Sequence, residues 1–240
     1  MRIVVVAALA AELAPLARRL ARRPPPPAGG WWSCRAGGRE ITLVTTGDGA
    51  RRARQAVEAL VALARPRVLV GVGCAGGATP GLGAGDVLVA ERVIDEASGE
   101  IVIPPDSRWQ RRGRALPGVV AGSIVSAPRI ARDREAKARA GAAAPPGPTA
   151  VDLESWAWAG AAAGAGLPFV LLRGVTDPLD ERLPLDFEGL RGAAGVLGRG
   201  RVLLAASRRP ASWPGLLRLR RRLRAVAGRL ADCALEVAAA

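Results

Sequence analysis

Short apolar runs recur along the chain, separated by segments whose apolar residues follow a helical period. The clearest runs cover residues 2–9, 68–72, 87–93 and 168–175 and are rich in valine, isoleucine and leucine. They are continuous rather than alternating, which is typical of strands buried on both faces of a sheet. A weakly alternating run over residues 40–46 predicts a further strand.

The segments between these runs predict amphipathic helices, because leucine, valine and alanine recur every three or four residues. We expect helices over residues 10–22, 51–64 and 133–143, and an alanine-rich helix after residue 153. The glycine-rich stretch 71–77 is predicted to be a turn. Strands that alternate with helices predict an α/β fold, a three-layer α/β/α sandwich around a central mixed, largely parallel sheet.

The C-terminal segment is basic and amphipathic. Leucine and valine at helical spacing between Leu216 and Leu230 predict a helix with an arginine-rich opposite face. In the plainer interpretation this helix covers the core and its basic face is solvated; in the alternative the basic face lies on anionic lipid. We therefore divide the chain into an α/β domain, residues 1–212, and a C-terminal helix, residues 213–240, that packs on the domain or extends from it.

Composition narrows the class of protein. The chain has 240 residues, half of them hydrophobic, yet its apolar runs are far shorter than the roughly 20 residues of a membrane-spanning helix. The N-terminal residues lack the charged start and small-residue cleavage site of an export signal. We therefore expect a cytoplasmic protein, at most peripheral to the inner membrane.

The net charge of +14 does not by itself indicate nucleic-acid binding. Arginine is spread over the whole chain, lysine occurs once, at Lys137, and no aromatic residues are interleaved with the arginines as a base-stacking surface requires. We expect no nucleic-acid partner. Because the cysteines, Cys34, Cys74 and Cys233, lack metal-binding spacing and histidine is absent, we expect free thiols and no metal site.

Polar residues follow the carboxyl ends of several predicted strands, where open α/β sheets place their working groups. They come after the first strand, after a short strand near residue 150 and after the last strand: Glu12, Asp152, Glu154, Thr176 and Asp177. Each acidic residue alone is more often a helix cap or a partner of the helix dipole. Buried carboxylates are costly, so their recurrence at strand ends indicates a shared site.

Three stretches of the sequence resemble the bacterial nucleosidases and phosphorylases that act on purine nucleosides. They are MRIVVVAALAAEL at the N-terminus, GVGCAGGATPGLGAGDVLVA in the middle, and AVDLESWAWAGAAAGAGLPFVLLRGVTD further on. The resemblance runs from Arg2 to about Asp186. It implies a nucleoside phosphorylase-like fold, a purine nucleoside as substrate, no cofactor apart from inorganic phosphate as an alternative co-substrate, and a homodimer or larger assembly.

The chemistry of such a reaction fits the residues that the resemblance singles out. Cleavage of a purine N-glycoside passes through an oxocarbenium-like sugar. The leaving base must therefore be protonated, the sugar hydroxyls must be held, and a nucleophile must approach the opposite face of the sugar. The resemblance assigns Asp177 as the acid that protonates purine N7, Glu12 as the base that orients water, and Glu154 as the partner of the ribose hydroxyls. The further substrate-binding residues that it implies are Cys74, Ala75, Gly76, Arg129, Ile130, Asp152, Leu153 and Thr176.

Departures from the family pattern bear on substrate and nucleophile. Cys74 stands where relatives have serine or threonine, and we do not expect it to be a nucleophile because no histidine activates it. Arg129 lies in the loop where the nucleosidases place a phenylalanine against adenine. The first turn carries Glu12 where phosphorylases carry a cationic phosphate site, which favours water as nucleophile; Arg51 and Arg52, at a helix N-terminus, keep phosphate as the alternative.

A narrower resemblance, to the hopanoid-associated phosphorylases, lies in the VDLES stretch, in Asp177-Pro178 followed by LPLD at residues 183–186, and in the basic leucine-rich tail. It implies hydrolytic release of adenine from adenosylhopane, whose lipid 5′ substituent sits in a bilayer. The alternatives are methylthioadenosine or S-adenosylhomocysteine as substrate and, in another class, a homologue that binds nucleosides without turnover. Trp156 and Trp158 either line a pocket for an apolar 5′ substituent or pack in the core.

Overall fold

A computed structural model describes residues 1–191 and 199–240 of the chain. The strands are β1 (Arg2–Ala7), β2 (Trp31–Ala36), β3 (Arg39–Thr45), β4 (Val68–Gly77), β5 (Val87–Asp95), β6 (Ile101–Val102), β7 (Val119–Ser126), β8 (Thr149–Asp152) and β9 (Phe169–Asp177). The helices are α1 (Ala10–Ala21), α2 (Ala50–Ala64), α3 (Arg108–Arg114), α4 (Arg134–Ala142), α5 (Ser155–Gly164), α6 (Arg199–Ser207) and α7 (Trp213–Ala239), with a 3-10 turn at Pro210–Ser212 before α7.

The described strands form one sheet, and most of the longer pairings in it are parallel. β1 lies between β3 and β4 and runs parallel to both, and β4 also runs parallel to β9. β7 runs parallel to β5 and β8, whereas β2–β3, β4–β8, β5–β6 and β5–β9 are antiparallel. The predicted mixed, largely parallel sheet is confirmed, and it brings the ends of β1, β4 and β9 to one edge.

Helices cover both faces of this sheet because successive residues of the central strands point to opposite sides. In β1, Ile3 and Val5 belong to a core cluster with α1, α3 and the second half of α7. Val4 and Val6 belong to a second cluster with α2 and α5. These two clusters are the two interfaces of the predicted three-layer sandwich.

The glycine-rich stretch 71–77 is not a turn, as the sequence predicted, but the second half of β4. Side chains from residues far away in the chain fill the space that a larger residue at Gly71 or Gly73 would need. A Cβ at Gly71 would lie 2.4 Å from the Leu171 side chain, and a Cβ at Gly73 would lie 2.9 Å from the Arg173 guanidinium. Both partners belong to β9, so the small residues allow β9 side chains to pack across β4.

Both tryptophans of α5 pack in the core. Trp158 is fully buried in the cluster with α2, and its ring lies 4.6 Å from the Arg173 guanidinium carbon. Trp156 is partly buried against the same cluster. Neither residue lines the cavity described below.

Helix α7 begins where the C-terminal segment was placed and extends past the predicted 216–230 stretch in both directions. Its second half is core, since Val226, Leu230 and Val237 pack with α1 and the sheet. Its first half lies over the cavity. Within the described ranges, no helix combines the length and the apolar character needed to cross a bilayer.

Candidate active site

A cavity of about 530 Å³ lies beside the ends of β1, β4, β8 and β9 and collects nearly all the predicted site residues. The predicted residues that line it are Glu12, Cys74, Ala75, Gly76, Ile130, Asp152, Leu153, Glu154, Thr176 and Asp177. Arg129 is exposed and is not among the described residues that line the cavity. Its neighbour Ile130 lines the cavity and donates its backbone N–H to Glu188 at 3.1 Å.

Two backbone N–H groups fix the side chain of Glu12. Its Oε2 accepts from the N–H of Leu9, which precedes α1, at 2.9 Å, and its Oε1 accepts from the N–H of Cys74 in β4 at 2.8 Å. Burial raises the pKa of Glu12, while the two N–H groups lower it. Glu12 is therefore a helix cap that also presents a buried carboxyl group to the cavity.

Glu154, directly before α5, reaches across to the start of α2. Its Oε1 accepts the backbone N–H of Gly49 at 2.8 Å. Burial and, to a lesser degree, the nearby charge of Asp152 raise the pKa of Glu154 from 4.5 to about 8. Glu154 is therefore mostly protonated at neutral pH, so it can donate as well as accept a hydrogen bond.

We expect the stability of the wild-type protein to fall between pH 4.5 and 8 more steeply than that of Glu154→Gln. The pKa of Glu154 is raised in the folded state, so its stabilising contribution is complete below its ordinary value of 4.5 and is lost as the pH rises through about 8. The difference should reach a few kcal/mol, since one pKa unit corresponds to about 1.4 kcal/mol. Urea unfolding of both proteins across this range measures it, and parallel curves would contradict it.

Asp152 lines the cavity, but its oxygens already have protein partners. Oδ2 accepts from Arg173 Nε at 2.6 Å and from the Ser155 hydroxyl at 2.6 Å, and Oδ1 accepts from the Ser126 hydroxyl at 2.8 Å. Both members of the ion pair are buried, and Arg173 is only 1% exposed. Asp152 thus anchors the β8–α5 turn and thereby places Glu154, the second residue after it.

Asp177, at the end of β9, is paired with the single lysine of the chain. Lys137 Nζ lies 2.7 Å from Asp177 Oδ2, and its side chain is fully buried. Lys137 also donates to the backbone carbonyls of Asp177, Pro178 and Glu181, which ties α4 to the segment after β9. The Thr176 hydroxyl donates to the other carboxyl oxygen, Asp177 Oδ1, at 2.7 Å.

Opposing influences act on the proton of Asp177. Burial raises the pKa of Asp177, while the Lys137 ammonium and the Thr176 hydroxyl lower it; burial prevails. The Thr176 hydroxyl has a second acceptor, the Ala75 carbonyl at 3.4 Å. It can therefore turn away from Oδ1 when that oxygen carries a proton, and Lys137 can stay at Oδ2.

The β4 residues beside the carboxyl groups position them and leave them room. Burial raises the pKa of the Cys74 thiol well above its ordinary value, and the nearby Glu12 raises it further, so the residue stays a thiol. A Cβ at Gly76 would lie 3.2 Å from Asp177 Oδ2 and 3.3 Å from Lys137 Cε. The glycine therefore gives the buried ion pair its space.

The other half of the cavity is apolar and comes mainly from α6 and the first half of α7. The large apolar residues that line it are Leu183, Phe187, Val202, Leu203, Trp213, Leu216, Leu217, Leu219 and Leu223. Sequence reasoning missed this wall, because the leucines of α7 were expected to face the core and α6 was not predicted. It also missed Lys137 as a partner of Asp177, although a single lysine in an arginine-rich chain is a signal.

The polar end of the cavity is rich in carboxyl groups. Those that line it are Glu12, Asp48, Asp152, Glu154 and Asp177. Of the described arginines, Arg220 lines the cavity, whereas Arg51 and Arg52 do not. No group of three or more histidine, cysteine, aspartate or glutamate side chains in the described ranges is arranged to hold a metal ion.

Comparisons with solved structures find the same fold in nucleosidases. The 5′-methylthioadenosine/S-adenosylhomocysteine nucleosidase of Neisseria meningitidis, solved with methylthio-immucillin-A, superposes with a TM-score of 0.75 at 19% identity over 99% of this chain and 98% of its own. The corresponding nucleosidase of Streptococcus pneumoniae gives 0.74 at 18% identity, over 99% of each chain. Futalosine hydrolase of Helicobacter pylori gives 0.72 at 14% identity, over 100% of this chain and 97% of its own.

At these identities the likeness establishes the fold, and a search of curated proteins found no match. The family is established separately, by sequence. The profile described as "Phosphorylase superfamily" matches residues 2–194, which include Glu12, Glu154 and Asp177. Because this match covers most of the chain, the protein belongs to the phosphorylase superfamily.

Proposed function

We propose that the protein is a purine nucleosidase that hydrolyses the N-glycosidic bond of a 5′-substituted adenosine and releases adenine. The favoured substrate carries a long apolar 5′ substituent, and adenosylhopane is of this kind. The single observation that carries the proposal is the cavity itself, which joins the buried carboxyl groups of Glu12, Glu154 and Asp177 to an apolar wall from α6 and α7.

Asp177 is the general acid in this mechanism. As the C–N bond breaks, its electron pair goes to the purine, and a proton delivered to N7 stabilises the leaving base. Burial raises the pKa of Asp177, and Oδ1 can carry the proton once the Thr176 hydroxyl turns to the Ala75 carbonyl. Lys137, at Oδ2, then neutralises the carboxylate that remains after the transfer.

Glu154 and Glu12 act on the sugar side. Positive charge builds up on the ribose ring in the transition state, and a carboxyl group bonded to the ribose hydroxyls stabilises it. Glu12 accepts one backbone N–H on each oxygen, which leaves each oxygen a further lone pair for a water proton. The water oxygen bonds to the anomeric carbon, its proton passes to Glu12, and the purine leaves with the proton of Asp177.

Water fits this cavity better than phosphate does. A phosphate would face the carboxyl groups of the polar end, and the backbone N–H of Gly49 at the start of α2 is already bonded to Glu154. Helix N-termini attract anions through such N–H groups. At the start of α2 the N–H group of Gly49 is taken by the protein's own carboxyl group. We therefore propose hydrolysis, with ribose rather than ribose 1-phosphate as the sugar end of the product.

The apolar wall favours a long 5′ substituent. Methylthioadenosine would leave most of the wall from α6 and α7 in water, whereas a long apolar chain would cover it. Covering apolar surface contributes roughly 25 cal/mol per Å², so even part of this wall changes the affinity by orders of magnitude.

Adenine release by the purified full-length chain tests the proposal. The substrates are methylthioadenosine, S-adenosylhomocysteine and adenosine with a long 5′-alkyl chain, each with and without phosphate. We expect the largest kcat/KM for the long-chain substrate and no dependence on phosphate. Retained nucleoside binding without adenine release from any of them would favour a homologue without turnover.

Leu216→Asn should separate long from short substrates. Leu216 lines the cavity from α7, and the substitution keeps its size while making the wall polar. We expect kcat/KM to fall on the order of tenfold for the long-chain substrate, the scale of a small change in an apolar pocket, and to stay near wild type for methylthioadenosine. Leu63→Asn on α2, where the side chain is 80% exposed, is the matched control. Equal losses on both substrates would argue against an apolar 5′ site.

A further inference from the structure

We infer that α6 and the first half of α7 form a docking surface for an anionic lipid bilayer. This surface, here called the α6–α7 surface, consists of exposed apolar and basic side chains. They are Arg201, Leu203, Leu204, Arg208, Arg209, Trp213, Leu217, Arg220, Arg221 and Arg224. The inference goes beyond the proposed function, because lipid binding by this surface does not require turnover.

Large apolar side chains on the α6–α7 surface are unusually exposed. Leu203 is 65% exposed, Leu204 53%, Leu217 50% and Trp213 48%, and all four lie within one pair of successive helices. Single exposed apolar residues are ordinary on a protein surface, but a contiguous group marks an interaction site. Tryptophan and leucine are the residues with which interfacial helices enter the headgroup region.

The charged side chains of the α6–α7 surface itself all have one sign. The sequence contains no aspartate or glutamate between Gly189 and Ala231. Arg218 and Arg222, which lie beside the surface, pair with Glu181, but the arginines of the α6–α7 surface form no ion pair within the described part of the chain. Such a surface is complementary to anionic headgroups. Each basic residue close to them strengthens membrane binding about fivefold.

The order of residues along α7 suits a helix that lies in a bilayer interface. Trp213, Leu217, Arg221 and Arg224 follow each other at intervals of three or four residues, so they share one face of the helix. The apolar pair therefore comes first and the arginines follow on the same face. Arginine side chains can hold their charge at the headgroups while their stems lie along apolar surface.

The α6–α7 surface also coincides with the mouth of the cavity. Leu203, Trp213 and Leu217 line the cavity and are at the same time about half exposed or more. A long apolar substituent bound along α6 and α7 would emerge between these residues. If the proposed function holds, a nucleoside anchored in the bilayer can enter the site without its lipid part crossing water.

A second copy of the chain fits this surface less well. In a two-fold symmetric dimer the patch would face itself, and no acidic residue of α6 or α7 before Asp232 is available to pair with the arginines. Like charges would then meet across the interface. An anionic bilayer supplies the opposite charge and an apolar interior together.

Vesicle binding of the full-length chain tests the inference. We expect the wild type to sediment with vesicles of equal parts phosphatidylcholine and phosphatidylglycerol, to bind phosphatidylcholine alone much more weakly, and to be released by salt. Arg221→Glu with Arg224→Glu should weaken binding by at least roughly thirtyfold, and Leu204→Asp by at least roughly tenfold. These three residues are exposed and do not line the cavity.

Matched controls separate this surface from the general charge of the protein. Arg35→Glu with Arg67→Glu changes the net charge equally on β2 and before β4, and Leu63→Asp matches Leu204→Asp on α2. Wild type that does not bind anionic vesicles, or controls that weaken binding as much, would overturn the inference. So would surface variants that turn a dimer into a monomer without changing vesicle binding. Adenine release from a soluble 5′-alkyl adenosine, measured on the same proteins, reports on the proposed function independently.

Discussion

Asp177→Asn is expected to lower kcat for adenine release by at least roughly a hundredfold, the usual scale of general acid catalysis. Asparagine has nearly the same shape: its amide oxygen can accept from Lys137 in place of Asp177 Oδ2, and its amide nitrogen can donate to the Thr176 hydroxyl oxygen in place of Oδ1. It cannot give a proton to the purine. The loss should therefore appear in kcat, with KM changed much less, because the substrate-binding surface is preserved.

The control for this variant is Asp180→Asn, three residues further along the chain. Asp180 is exposed and pairs with Arg134 outside the cavity, so its substitution should leave adenine release near the wild-type rate. Steady-state rates with the long-chain substrate measure both. Near wild-type turnover in Asp177→Asn would remove Asp177 as the acid and leave the other carboxyl groups of the cavity to be tested.

The pH dependence of this reaction follows from the environment of Asp177. Burial raises the pKa of Asp177 and Lys137 lowers it, so the protonated fraction, and with it kcat/KM, should decline as the pH rises. An acid with a raised pKa favours proton delivery to a leaving base near neutrality.

The candidate site residues that could be predicted are those whose position is visible in a short stretch of sequence, whereas their expected roles came from the family resemblance. Glu12 lies in the first turn of the helix that follows the apolar run of β1, and Asp177 ends the apolar run of β9. Both residues are therefore located by the end of a predicted strand. The parallel pairing of β1 and β9 with β4 then brings them to one cavity, as the alternation of strands and helices predicted.

Features that depend on distant residues could not be predicted in this way. The glycines of β4 give no strand signal of their own. A glycine is needed at position 71 because the Leu171 side chain of β9 packs against it. Lys137 acts on Asp177, which lies on another element, so no local pattern reveals the pair. The leucines of α7 have a helical period, but the period does not say whether they face a core or a cavity.

Arg173→Met should lower the free energy of unfolding by about 3–5 kcal/mol, the usual cost of removing one partner of a buried ion pair. Arg173 is 1% exposed and its Nε lies 2.6 Å from Asp152 Oδ2. Methionine can replace the aliphatic stem, but it lacks the guanidinium that lies over Trp158. It also leaves the Asp152 charge buried, with only the Ser126 and Ser155 side chains and the Ser155 backbone N–H as partners. Urea unfolding of the two proteins at neutral pH gives the difference.

The double variant Arg173→Met, Asp152→Asn distinguishes a buried-charge effect from lost packing. Without the carboxylate there is no unpaired charge, so the double variant should be more stable than Arg173→Met alone, by roughly 1 kcal/mol or more. If the two variants were equally unstable, the loss would come from the packing of Arg173 against Trp158 and β4. Because Asp152 holds the turn that carries Glu154, we also expect Arg173→Met to weaken substrate binding while Asp177 keeps its place beside Lys137.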